Sequence, residues 1–349
     1  MNNNMIKYIV IGIAGILAPI VFANFQVQLG FLWLMVLFAL TWDTQGGQMG
    51  YNSFGNILFF GLGMYVCATV QIGLVYDVAE YTAAAGLNSG RLNGDQYLTG
   101  LALGMGAGAV VAVIVAAIIG SGILGLRGHY FAIGTLGLGI AFGEIFAGWD
   151  YVGAGSGLAP PPFPDELDFL GGRNMFFYYI FFALAVAAFF TLKKLYASRF
   201  GLAINAIRDD EDKAEAMGLR TVRYKTISWC ISAFFLALAG GPLGMLVGFI
   251  DPRETAFAGI TFGIWMVLMA ILGGKGTIWG PVIGAVIFHV TQEIFWSFLL
   301  GWQRVAMGVL IVVIVVFFPR GIMGWLRDTW PDRYGEKIDE SVPQEGAAE

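Results

Sequence analysis

Apolar runs of membrane-spanning length alternate with short polar interruptions along nearly the whole chain. A bilayer core about 30 Å thick is crossed by about 20 apolar residues in a helix. At that window ten spans are predicted: 6–23, 27–42, 57–75, 98–121, 129–148, 174–192, 226–249, 257–273, 277–299 and 303–318. The expected fold class is all-α, a polytopic integral membrane protein whose transmembrane domain occupies residues 1–330. The first span follows Lys7 and ends Val21-Phe22-Ala23; it reads as an uncleaved helix rather than a signal peptide. Spans 2–5 and 7–10 run in opposite directions when matched in order, so an inverted repeat is expected, and Gly-rich breaks at 46–55 and 273–280 stand in related places. The polar, Glu-rich tail 331–349 is expected to be disordered.

Composition agrees with this pattern. The chain is 58% hydrophobic and 12% charged, where soluble proteins carry about 25% charged residues; its mean hydropathy is +0.74. Its 50 glycines follow no collagen-like period, as suits closely packed membrane helices. A net charge of −5 offers no basic surface to a nucleic acid, and two cysteines exclude a disulfide framework. Charge placement sets orientation. With the N-terminus inside, only Arg91, Arg173, Arg253 and Arg304 fall outside; the rest of the 19 Lys and Arg fall inside. Both termini are then cytoplasmic, the loop 150–173 is external, and Ser198–Lys225, the longest strongly charged interruption, is cytoplasmic.

Three stretches carry candidate chemistry. In Trp42–Tyr65, glycines break helical propensity while Gln48, Asn52 and Ser53 offer hydrogen-bonding groups beside Tyr51. Lipid cannot satisfy irregular backbone, so this segment is either a broken element lining a polar pathway or a cytoplasmic loop. In Leu126–Glu144, Glu144 is the only carboxylate of its span; it faces a cavity or partner, or sits at the outer interface. Residues 153–157, including Ser156 and Gly157, form either a backbone nest for a carboxylate or a plain loop. His289 and Glu293, one turn apart, are read as a structural hydrogen-bonded pair, with a proton relay as the competing reading.

Within Ser198–Lys225, Arg208 precedes Asp209, Asp210, Glu211 and Asp212. Acidic residues cap and complement a helix start, and Gly218 is a natural stop. A two-turn helix over 211–217 follows, with Ala214, Met217 and Leu219 as a small apolar face. Alone it is too short to be stable and needs a surface to dock on.

SRFGLAINAIRDDEDKAEAMGL (198–219) resembles the cytoplasmic loop SRFGRAxxAIRxxExxAExxG of branched-chain amino acid ABC transporter permeases. LRGHYFAIGTL (126–136), GAGSGL (153–158), LGGKGTIWGPVIGA (272–285) and FFPRGIMG (317–324) resemble further segments of that family in the same order, the YFAI and SRFG segments pointing to the larger, M-type subunit. The resemblance implies a cytoplasmic docking site for an ATPase, carried by Ala206, Ile207, Arg208, Asp209, Asp210, Glu211, Ala214, Glu215 and Gly218. It implies a paralogous permease subunit, two cytosolic ATPases and a periplasmic or lipid-anchored binding protein as partners in a bacterial cytoplasmic membrane. No cofactor is expected in this chain; no GxxxxGK[ST] motif occurs, so ATP and Mg would be held by the partners. Tyr51, Asn52 and Ala154 depart from the family pattern. By the resemblance branched-chain amino acids are the expected solute, imported by alternating access driven by the ATPases; urea, short amides and other amino acids are the alternatives, and a proton-coupled secondary transporter is the competing mechanism.

Overall fold

The computed structural model describes residues 3–84, 86, 91–298 and 321–330, together with 301–302, 305–306, 308–309, 312–313 and 316. Among these the chain is helical throughout, its only pairing of strand type being the isolated bridge between Leu158 and Ile250. In chain order the helices are α1 (Asn3–Val21), α2 (Gln26–Gly46), α3 (Ile57–Gly73), α4 (Val78–Ala83), α5 (Gly94–Ile123), α6 (Gly128–Ala147) and α7 (Gly172–Tyr196). There follow α8 (Arg199–Asp209), α9 (Glu211–Ala216), α10 (Thr221–Val247), α11 (Ile264–Gly273), α12 (Gly280–Phe298) and α13 (Gly321–Thr329). Seven helical stretches are long and apolar enough to cross a membrane, and α1 and α3 add shorter apolar helices. Nine of the ten predicted spans thus fall on described helices. The tenth, 303–318, lies largely outside the described residues, as does the tail 331–349.

The centre of the bundle is α3, α5 and α10 packed against one another, with α2 on α7 and α11 on α12. Hydrocarbon supplies no hydrophobic drive between helices, so their association rests on close backbone contact. At Gly63 and Gly240 this is explicit: a Cβ on Gly63 would collide with the Ala237 backbone, and one on Gly240 with Phe60 O. α2 is buried on every side from Leu34 to Gly46, whereas α5 and α6 expose aliphatic faces through Val110, Ile114, Ile118, Ile133 and Ile140.

Two spans differ from expectation. α2 continues past residue 42 to Gly46 because its polar end is buried in protein rather than lying in a loop. Ser232 Oγ donates to Thr41 O at 2.8 Å, and the Thr44 and Tyr196 hydroxyls share a hydrogen bond of 3.0 Å. The eighth span is broken: Pro252–Ala256 and Gly259–Gly263 are wide π turns, and regular α-helix begins only at Ile264. In each half, then, an irregular stretch leads into a short helix, 47–56 into α3 and 252–263 into α11. The last helix of the expected repeat lies outside the described residues.

Candidate functional site

At one end of the bundle the breaks between helices converge. Ser198 Oγ accepts from Phe200 N at 3.2 Å and caps α8; Asp210 Oδ1 accepts from Lys213 N at 3.0 Å and caps α9. Gly218, at φ 88°, reverses the chain after α9. The short helix 211–217 is therefore present with Asp210 as its cap, while Asp209 pairs with Arg208 at 3.1 Å instead. α8 was not foreseen. It buries Ile204 and Ile207 against Met49, Tyr196 and Tyr224, a small apolar cluster that Ala214 of α9 joins.

A charged lock fastens this helical pair to the bundle. Lys225, at the start of α10, keeps only 1% of its side chain exposed and Glu211 only 11%. The Lys225 ammonium donates to Leu124 O and to the Tyr51 hydroxyl, both at 3.0 Å, and contacts the Glu211 carboxylate. Its three N–H donors are thereby matched by three acceptors. The Tyr51 hydroxyl donates to Glu211, and the Lys225 ammonium lies 4.1 Å from the Tyr51 ring centre. Arg127 bridges α9 from outside, to Glu211 at 3.5 Å, Asp212 at 2.6 Å and Glu215 at 3.4 Å.

These contacts fix the ionisation of the cluster. Burial alone would push the Glu211 carboxyl up, but hydrogen bonds from Lys225 and Tyr51 outweigh it and leave it below the ordinary carboxylate value. Burial, then the bond to Glu211, pushes the Tyr51 phenol up. The backbone N–H of Lys213 holds Asp210 down, and the hydrogen bond to Asp212 raises Arg127.

The nine residues expected to receive an ATPase divide into two sets. Ile207, Glu211 and Ala214 turn inward onto their own chain; Ala206, Arg208, Asp209, Glu215 and Gly218 remain exposed, and Asp210 is partly so. Met217, expected on the docking face with Ala214 and Leu219, points outward at 85% exposure, and Leu202 of α8 is 70% exposed. Lys225 and Arg127 were not singled out from sequence. Lys225 is one of several cations in its loop, so neither residue stands out until its partners are in place.

The expected pathway residues do not form one site. Gln48 and Ser53 are buried near the α8–α9 end, Asn52 is exposed, and Tyr51 is committed to the lock. The two Gly-rich breaks meet there: Asp43 Oδ1 accepts from Gly276 N at 2.8 Å. Trp229 Nε1 donates to Asn56 Oδ1 at 3.0 Å and pins the start of α3 to α10.

Glu144 lies towards the opposite end, paired with Arg253 through two bonds of 2.9 and 2.7 Å. Ser156 is exposed and Gly157, at φ 78°, precedes the Leu158–Ile250 bridge. No nest opens at 153–157, because the amides of Gly153, Ala154, Ser156 and Gly157 bond to carbonyls of the loop 149–154 itself. Nor do His289 and Glu293 pair by a hydrogen bond; His289 Nε2 lies 2.8 Å from Gln28 O on α2.

The sequence profile described as branched-chain amino acid transport system / permease component matches residues 24–317. The chain belongs to this family of permeases. It is 26% identical over 328 residues to the high-affinity branched-chain amino acid transport system permease protein LivM of Salmonella typhimurium, covering 85% of this chain and 75% of the relative. The LivM protein of Escherichia coli (strain K12) is 26% identical over 298 residues, covering 77% and 68%. Over 128 residues the chain is also 31% identical to LivH of Salmonella typhimurium, covering 36% and 40%. No solved structure matches. The permease is thus a multi-pass membrane protein of a transport system, and its ordered motifs lie on α6, α8–α9 and the α11–α12 break.

Proposed function

We propose that this permease is the M-type membrane subunit of an ATP-driven importer of branched-chain amino acids, working beside a paralogous permease, two cytosolic ATPases and a binding protein that delivers the solute. ATP and Mg reside on the ATPases, and the α8–α9 end faces them in the cytoplasm with both termini on that side.

The observation that carries this reading is the lock between α9 and the broken segment 47–56. Glu211 is tied at once to Lys225 on α10 and Tyr51 ahead of α3. A displacement of α9 therefore either carries that segment along or breaks the Tyr51–Glu211 hydrogen bond, and it strains the buried Glu211–Lys225 ion pair to α10 as well. Such coupling is what a membrane subunit driven from outside needs. The outer surface of the pair offers Met217 and Leu202, two exposed apolar side chains among charges, as the points an ATPase would grip.

Met217→Asp with Leu202→Asp tests the docking. The variant is expected to insert and fold, since neither side chain contributes to the core, and to lose co-purification of the ATPases. Retention of the ATPases at wild-type ratio would contradict the proposal.

A further inference from the structure

Between α6 and the π turns lies a cleft of about 220 Å³ that runs from Phe54 to the Glu144–Arg253 pair. Most of its wall is aliphatic or aromatic: Ile57, Leu136, Ile140 and Phe257. Gly139 and Gly143 line it from α6, and a Cβ added to either would stand 3.4 Å from Ile57 or Phe257, in ordinary contact. Its charged lining residues are the Glu144–Arg253 pair and Glu254, the neighbour of Arg253 in the first π turn, and Thr261 adds a hydroxyl. Asp251 Oδ1 fixes this charged edge by accepting the backbone N–H groups of Arg253 and Glu254 at 2.8 and 2.6 Å.

The edge has unused capacity. A guanidinium carries five N–H donors. Glu144 takes two of them through Nε and Nη2, and no described residue takes those on Nη1. Counting Asp251, three carboxylates stand against one guanidinium, so the edge carries an excess negative charge. Both members of the pair are more than half exposed, and an ion pair of that kind contributes little as a structural tie. Charged groups within membrane segments characteristically face a cavity or a partner.

We propose that this cleft binds a small amino-acid zwitterion with a branched aliphatic side chain, an inference that rests on the functional reading above. The ligand's carboxylate takes the free Nη1 donors of Arg253, its ammonium lies between Glu144 and Glu254, and its side chain lies on Ile57, Leu136 and Phe257. An anion would meet the excess carboxylate, and a simple cation would leave the guanidinium unused. A zwitterion satisfies both. The apolar wall rejects polar side chains, which would be left without hydrogen-bond partners.

The test uses the assembled transporter in proteoliposomes, with co-purification of the subunits as the folding control. Arg253→Gln is expected to lower leucine uptake about tenfold, and Arg253→Lys to restore part of it. Gly143→Ala narrows the cleft by one methyl group and is expected to shift the leucine-to-alanine uptake ratio about tenfold towards alanine. A cleft that holds no solute would leave that ratio unchanged. Wild-type leucine uptake in Arg253→Gln, or an unchanged leucine-to-alanine ratio in Gly143→Ala, would overturn the binding site alone. A wild-type complex that imports no branched-chain amino acid would overturn the functional reading, and this inference with it.

Discussion

Lys225 is the residue on which the docked loop depends. Its ammonium is buried and fully bonded, and Lys225→Met would leave Glu211 with Arg127 at 3.5 Å as its remaining cation. Removing one member of a buried pair costs about 3–5 kcal/mol, much of it the penalty of stranding the other charge. ATP-driven uptake by Lys225→Met is therefore expected to fall at least about tenfold, and the double variant with Glu211→Gln to regain a substantial part. Losses that simply add would show that the two residues act separately. The pH dependence follows from Glu211. Its folded-state carboxyl lies below the ordinary value of 4.5, so its contribution is fully present above that value and is lost as the pH falls through the lowered one. Exchange protection of α9 amides, corrected for intrinsic rate, should hold from pH 7 to 5 and fail only in stronger acid; failure near pH 6 would point to another group. The sequence marks Glu211 and Arg127 as charged but does not reveal their partners. Lys225 reads there as the last residue of a polar loop, and Tyr51 as a departure from the family pattern near a pathway. Only the fold brings the four together.

At the scale of elements, legibility follows how local the determining forces are. α9 is readable because its cap, acidic first turn and glycine stop all lie within ten residues. α8 is not, because Ala203, Ile204 and Ile207 make too small an apolar face to predict a helix; docking on Met49, Tyr196 and Tyr224 stabilises it. Of the small apolar face expected on this helix, Ala214 and Leu219 pack onto the chain's own cluster while Met217 points outward, where a partner can reach it. α2 runs past its predicted end for a related reason. Asp43 to Gly46 look like a loop in sequence, yet Tyr196 supplies Thr44 with a hydrogen bond that lipid would not. The π turn at Gly259–Gly263 was likewise hidden inside the predicted span 257–273, where hydropathy is blind to backbone irregularity. The His289–Glu293 spacing suggested a pair, but α2 offered the Gln28 carbonyl instead, and burial on that side decided the contact.

Across the whole molecule, the polar breaks sort into two sets. Residues 43–56, 124–127, 198–225 and 274–280 meet at one end, held by Asp43, Arg127 and Lys225. At the other, Glu166 accepts from Gly94 N at 2.8 Å, Arg91 pairs with Asp165, and Arg173 donates to the Met245 carbonyl at 3.2 Å. The Lys and Arg bias of the sequence divides the loops the same way, because alternating spans must return each break to the same side. Membership of the permease family was legible in the ordered motifs, and the profile match over 24–317 supports it independently. The solute-facing surface was not legible, since Gln48, Tyr51, Glu144 and Ser156 share no pattern that would place them at different depths.

The central claim, that this permease moves branched-chain amino acids by force applied to α8–α9 from ATPases, is tested most directly by uptake in proteoliposomes. Vesicles holding the complete complex, with its binding protein outside and ATP enclosed, should accumulate radiolabelled leucine; those lacking ATP should not, and those carrying Lys225→Met should do so at least about tenfold more slowly. Accumulation that continues unchanged without ATP would contradict the account.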